Sequence, residues 1–222
     1  MKLLASDMSY VAQVGSAGSG DNQFQTPAGI GTDGTYLYIA DMENHRLVKR
    51  RCDDLTFVSK IGTEGVGNDQ FNDPQNICVC GDYLYLADMA NHRIQKRLCS
   101  DLSYVTKVGE FGAGNDQFYQ PYGVCTDGIY LYVADSYNCR IMKRLCSDLS
   151  YISKIGAQGQ GNDQFYNPEG IGCDGTYLFV VDSSNNRIQK RLSTDLSYVS
   201  KIGTQGTGND QFSIPFDVFA LG

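Results

Sequence analysis

The stretch FNDPQNICVCGDYLYLADMANHRIQKRLCSDLSYVTKVG, residues 71–109, holds four short apolar runs separated by turn residues, and its reading decides the fold. Strands are expected at 75–79, 83–87, 92–97 and 103–109, divided by Cys80-Gly81, by 88–91 and by 99–101. The second run, YLYLA, is apolar on both faces, as a strand covered from two sides must be. The third and fourth runs carry more charge, which suits strands nearer to solvent.

The same unit recurs along the whole chain. Phe24, Phe71, Phe118, Phe165 and Phe212 stand 47 residues apart, and each is followed three residues later by a proline, Pro27, Pro74, Pro121, Pro168 or Pro215. A fixed period of this length marks a repeat architecture in which each unit buries its apolar face on the next. Four antiparallel strands running from an apolar inner pair to a polar outer pair describe a propeller blade. Four complete blades are expected, at 24–62, 71–109, 118–156 and 165–203. The chain of 222 residues is thirteen short of five full periods. Its first residues, MKLLASDMSYVAQVG, align with the end of the third strand and the fourth, and its last, SIPFDVFALG, align with the first strand. The expectation is an all-β, five-bladed β-propeller forming a single domain over residues 1–222, with the fifth blade assembled from both termini, 1–15 and 212–222. In that blade Ser9 to Val14 pairs as outer strand with Ile214 to Ala220, and the MKLL segment serves as middle strand. A monomer closed in this way is expected, with a dimer through the incomplete fifth blade as the alternative.

The stretches LYIADMENHRL, LYLADMANHRI, LYVADSYNCRI and LFVVDSSNNRI, with the GxGxGNDQFxxP turn before them, resemble the NHL-repeat propeller family over every complete repeat. Members of that family serve as protein- or RNA-binding platforms, so the resemblance implies a recognition role. The chain has no tryptophan, which sets it apart from WD40 propellers. Propeller lyases that place several histidines on a zinc are a poor parallel, because this chain has only two, His45 and His92.

A net charge of -7 disfavours nucleic acid and anionic membrane as partners. No apolar run is long enough for a membrane span, and the start is too short in apolar residues for a secretory signal, so a soluble, cytoplasmic protein is expected. The eight cysteines form no CxxC pair, and Cys52, Cys99 and Cys146 are one position repeated. Such positions should lie farther apart than the roughly 7 Å between Cα atoms that a disulfide tolerates, so free thiols are expected.

Asp41, Asp88, Asp135 and Asp182 each stand five residues before Arg46, Arg93, Arg140 and Arg187. Recurrence in every blade assigns these pairs to holding the turn rather than to acid catalysis. The Asn68-Asp69-Gln70 cluster lacks the ligand pattern of a calcium loop and is read as a turn cap. The glycine-rich turns precede strands rather than helices, so they offer no phosphate cradle. The basic runs Lys49-Arg50-Arg51, Lys96-Arg97, Lys143-Arg144 and Lys190-Arg191 are expected on a solvated outer rim. No catalytic grouping, metal site or cofactor is expected.

Function must lie where the copies differ, and the differences gather in the loops of one face. Around the proline the copies read QTPAG, NDPQN, YQPYG, YNPEG and SIPFD, and the turns after the second strand read MEN, MAN, SYN and SSN. Tyr119, Tyr122, Tyr137, Tyr166 and Phe216, with Glu43, Glu169 and Asp217 nearby, are the candidate ligand-binding residues. Large aromatics among acidic groups suit a protein or peptide, with a sugar ring as the lesser option. The expected function is a non-catalytic recognition scaffold. The alternatives are a metal-dependent propeller lactonase or lyase, an RNA-binding domain, and a purely structural repeat protein.

Overall fold

The computed structural model describes residues 2–3 and 10–220, as four four-stranded antiparallel sheets and one two-stranded sheet. The short sheet pairs β1 (Lys2–Leu3) with β2 (Tyr10–Ala12). The first full sheet comprises β3 (Pro27–Thr32), β4 (Tyr36–Asp41), β5 (Arg46–Arg51) and β6 (Phe57–Ile61). The second comprises β7 (Pro74–Cys80), β8 (Tyr83–Asp88), β9 (Arg93–Leu98) and β10 (Tyr104–Val108). The third comprises β11 (Pro121–Thr126), β12 (Tyr130–Asp135), β13 (Arg140–Leu145) and β14 (Tyr151–Ile155). The fourth comprises β15 (Pro168–Cys173), β16 (Tyr177–Asp182), β17 (Arg187–Leu192) and β18 (Tyr198–Ile202). Strands are joined in sequence order within each sheet, so every blade is a simple meander.

Blades pack face on face, and the periodicity of the apolar residues explains how. Tyr85, Ala87 and Ile94 of the second blade meet Phe118, Val124, Leu131 and Val133 of the third. Such fully desolvated contacts contribute roughly 25 cal/mol per Å² of apolar surface removed from water. The inner strands approach so closely that a Cβ on Gly123 would lie 2.3 Å from the Glu169 carbonyl oxygen of the next blade. Glycine there is a packing requirement. The C-terminal segment takes up the same relation to β15, since a Cβ on Gly170 would lie 2.5 Å from Asp217 Cα. Residues of β3, β7, β11 and β15 and of 217–220 together line one axial cavity of about 290 Å³.

Most of the basic residues expected on a solvated rim are buried instead, Arg51 being exposed and Lys190 half-buried. Arg97 and Arg191 are fully buried, and Lys49, Lys96 and Lys143 nearly so. Each lysine crosses to the next blade: Lys96 Nζ donates to the Cys146 and Ser147 carbonyls at 2.9 and 2.7 Å, while lying 3.9 Å from the Tyr83 ring centroid. Arg97 donates to the Leu102 and Asn68 carbonyls and to Asp69 Oδ1. These loops turn several carbonyls inward, and an inward carbonyl needs a donor. The long apolar stems of lysine and arginine carry one there.

The termini depart from expectation in their pairing. β2 joins β1, not Ile214 to Ala220, and 213–220 forms no ladder. The register, Lys2 on Ala12 and Leu3 on Tyr10, repeats that of Lys96 on Thr106 and Arg97 on Tyr104 in the second blade. Lys2–Leu3 therefore occupies a third-strand position and not the middle-strand position expected of MKLL. Residues 1, 4–9 and 221–222 of the expected fifth blade lie outside the described residues.

Each blade closes its upper loops around a buried carboxylate. Asp135 Oδ1 accepts the Tyr119 amide at 2.7 Å, and Oδ2 accepts Asn138 Nδ2 at 2.9 Å and Arg140 Nε at 2.6 Å. Arg140 then donates to the carbonyls of Ala113, Gly114 and Gln117 in the glycine-rich turn. Burial pushes the Asp135 carboxyl upward, and the Tyr119 amide, Asn138 and Arg140 pull it back. Asp135→Ala strands three donors in a dry site, so it should lower stability by about 3 kcal/mol. A urea midpoint unchanged from that of the parent would assign Asp135 some other role.

Candidate binding face

The turn after each second strand is a single 3-10 turn: Met42–Asn44, Met89–Asn91, Ser136–Asn138 and Ser183–Asn185. The residue that closes it, His45, His92, Cys139 or Asn186, is left-handed, with φ between 49° and 55°. His92 Nδ1 accepts the Gln120 amide at 3.2 Å and His45 Nδ1 accepts the Asp73 amide at 3.3 Å, while Asn186 Oδ1 accepts the Ile214 amide at 2.8 Å. The two histidines thus join neighbouring blades. Burial lowers the basicity of His92, against an opposing pull from Asp135.

Above these turns the candidate residues fall into two groups. The first is an aromatic chain on the rim of the second and third blades. Tyr119 lies 5.0 Å from Tyr137, 5.0 Å from Phe111 and 5.8 Å from His92, between ring centroids. Phe111 and Tyr137 remain more than half exposed. Phe111 was not among the residues singled out from the sequence, although its counterparts Ala17, Glu64, Gln158 and Gln205 made it the one aromatic at that position.

The second group sits at the mouth of the axis. Tyr122 meets Phe216 edge-on at 5.3 Å, and both line a cavity of about 110 Å³ with Ala28, Gln75, Asn76, Gly170 and Asp217. Gln75 Oε1 is buried there with no hydrogen-bond partner among the described residues. Burial raises the Asp217 and Glu169 carboxyls, opposed by the Val218 amide and by the Ser183 hydroxyl, which donates to Glu169 Oε2 at 3.0 Å. Burial also raises the Tyr122 phenol, and the two acidic groups add to the effect. Tyr166 and Glu43 are exposed on the same loops, and no ring contact joins Tyr166 to either group.

Charge on this surface is more one-sided than the composition suggests. Among the described residues eleven basic side chains are buried, against four acidic ones, Asp41, Asp88, Asp135 and Asp182. The solvent-facing surface is therefore strongly acidic. Among the described residues no three or more His, Cys, Asp or Glu side chains are grouped to hold a metal ion. All eight cysteines are free, and burial pushes the Cys146 thiol up to about 11.

The LVIVD repeat family matches residues 73–92, the first two strands and the turn of the second blade. No curated protein matches the sequence. Among solved structures, the nidogen/laminin complex contains a chain 16% identical with a TM-score of 0.66, the match covering 89% of this chain and 70% of that one. Hydrazine synthase of Kuenenia stuttgartiensis is 15% identical with a TM-score of 0.59, over 80% of this chain and 49% of that one. A virginiamycin B lyase from Staphylococcus aureus is 14% identical with a TM-score of 0.59, over 82% and 56%. This chain is a repeat β-propeller. It spans about half the length of the hydrazine synthase and lyase chains, and its likeness to all three is one of fold.

The mouth group gives a pH signature. A carboxyl raised in the folded state holds more protons folded than unfolded, so its contribution to stability is largest below its ordinary value and falls as pH rises through the raised one. Glu169→Gln keeps an acceptor for Ser183 and removes that titration. Its melting temperature relative to the parent should therefore climb as pH rises from the ordinary glutamate value of 4.5 toward neutrality. A difference that stays constant with pH would show that Glu169 titrates as an ordinary surface acid.

Proposed function

We propose that residues 1–222 form a single five-bladed, NHL-type propeller that acts as a non-catalytic recognition scaffold in the cytoplasm, binding a protein or peptide on the loop face just described. The observation that carries this reading is the exposed aromatic chain Phe111–Tyr119–Tyr137, backed by His92. Rigid rings side by side at a surface offer large contact area at small entropic cost. The acidic surface favours a partner rich in lysine or arginine over a nucleic acid. At the axis, Asp217, the unpartnered Gln75 carbonyl oxygen and the Tyr122 and Phe216 rings suit one inserted basic side chain. The five-blade reading is supported by the C-terminal segment lining the axial cavity beside four inner strands, and by β1 and β2 keeping the register of an outer pair. The monomer remains the favoured state.

The test compares capture from native lysate by the intact chain and by a Phe111→Ser, Tyr119→Ser, Tyr137→Ser variant, with the bound proteins identified. The variant should keep its melting temperature and lose captured protein at least about tenfold, the loss expected when interface aromatics are removed. Capture by the parent should fall as salt rises. Equal capture by both chains would remove the aromatic face from the function.

A further inference from the structure

Away from the loop face, the first strands of the second, third and fourth blades carry thiols that recognition does not use. Cys78, Cys125 and Cys173 line the axial cavity of about 290 Å³. Comparison between the copies singles out one pair. The counterparts of Cys125 are Gly31, Cys78 and Gly172, and those of Cys173 are Thr32, Val79 and Thr126. Only from the third blade to the fourth is a cysteine at the first of these positions followed by a cysteine at the second, because the blade after Cys78 has Thr126 there.

The packing of inner strands brings these two positions together. Where Gly172 replaces Cys125, a Cβ would lie 3.0 Å from the nitrogen of Ala220, the counterpart of Cys173. At the pair itself, the Cys125 thiol donates a hydrogen bond to the Cys173 sulfur. A disulfide needs such proximity, with Cβ atoms roughly 3.5–4.5 Å apart. The two environments differ. Cys173 is half-buried, and its sulfur accepts the Gly175 amide at 3.3 Å. The Cys125 hydrogen bond, helped by that amide, holds the Cys173 thiol below its ordinary value, against burial and the Asp127 and Asp174 charges. Cys125 is buried, and burial, with its bond to Cys173 adding to the effect, pushes its thiol well above the ordinary value. A partly exposed thiol made acidic by two donors, beside a protonated one, has the makings of a reactive cysteine and its resolving partner.

We propose that Cys173 is a peroxide-reactive thiol and that Cys125 resolves it to a disulfide joining the third and fourth blades. The Cys173 thiolate sulfur attacks one oxygen of hydrogen peroxide, the O–O bond breaks, and the departing hydroxide takes up the thiol's proton as water. Cys173 is left as a sulfenic acid. The Cys125 sulfur then attacks the Cys173 sulfur, the S–O bond breaks, and the hydroxyl leaves with the Cys125 proton as a second water. Two thiols lose two electrons and one peroxide becomes two waters. The bond ties β11 to β15, which belong to separate sheets and share no backbone ladder. Cys146 marks the contrast: its sulfur lies 3.2 Å from the Thr126 hydroxyl oxygen, and burial pushes its thiol up to about 11, which keeps it protonated. The inference is independent of the loop face and of the number of blades.

The test treats the full chain with an equimolar pulse of hydrogen peroxide, alkylates the remaining thiols and maps the peptides by mass spectrometry without reduction. A Cys125–Cys173 disulfide that dithiothreitol reverses is expected, with the other cysteines alkylated. In a Cys125→Ala chain the reaction should stop at the sulfenic acid, which dimedone captures on Cys173. Cys173→Thr preserves the turn, because Thr126 Oγ1 at the same position accepts the Gly128 amide at 3.0 Å. That chain should keep its melting temperature and lose thiols to peroxide at least about tenfold more slowly than the parent. An unchanged rate of thiol loss in Cys173→Thr overturns the proposal. So does a parent chain that forms no disulfide, or one that joins other cysteines such as Cys80 and Cys146.

Discussion

The interaction on which the rest depends is a buried aspartate that accepts from three directions at once. In the second blade, Asp88 takes the Asn72 amide from the start of its own blade, Asn91 from the turn, and Arg93 from the third strand. Arg93 passes the restraint on to Val66, Gly67 and Gln70. One side chain thereby fixes the second hairpin, the glycine-rich turn and the entry of the first strand. A buried charge is tolerable only when it is fully paired, and here the pairing draws together three separate segments of the blade. The loop face can vary because its foundation does not.

Much of this was legible in one chain because repetition acts as an internal alignment. Strands expected at 75–79 and 83–87 are found at Pro74–Cys80 and Tyr83–Asp88, since short apolar runs bounded by a glycine turn leave little freedom. The aspartate and arginine partners were readable from their fixed spacing. The burial of Lys96 and Arg97 was not, because composition assigns charge to solvent and says nothing about which carbonyls a neighbouring blade turns inward. The third-strand position of Lys2–Leu3 follows from aligning the first fifteen residues with the repeat, and the middle-strand role expected of MKLL departed from that alignment. Within the loop face, Tyr119 and Tyr137 were found by difference between copies, whereas Phe111 was hidden in a turn judged only for its glycines.

Interfaces between blades are directional, as each second strand covers the blade that follows it and each lysine caps that blade's outer loop. Nearest-neighbour coupling of this kind makes protection a property of position along the chain. The third blade is covered on both sides, while the first lacks a complete sheet before it. Local opening should therefore cost least at β3 to β6 and most at β11 to β14, a gradient that amide hydrogen exchange resolves residue by residue. A molecule built from near-identical units would then have a soft end and a hard middle.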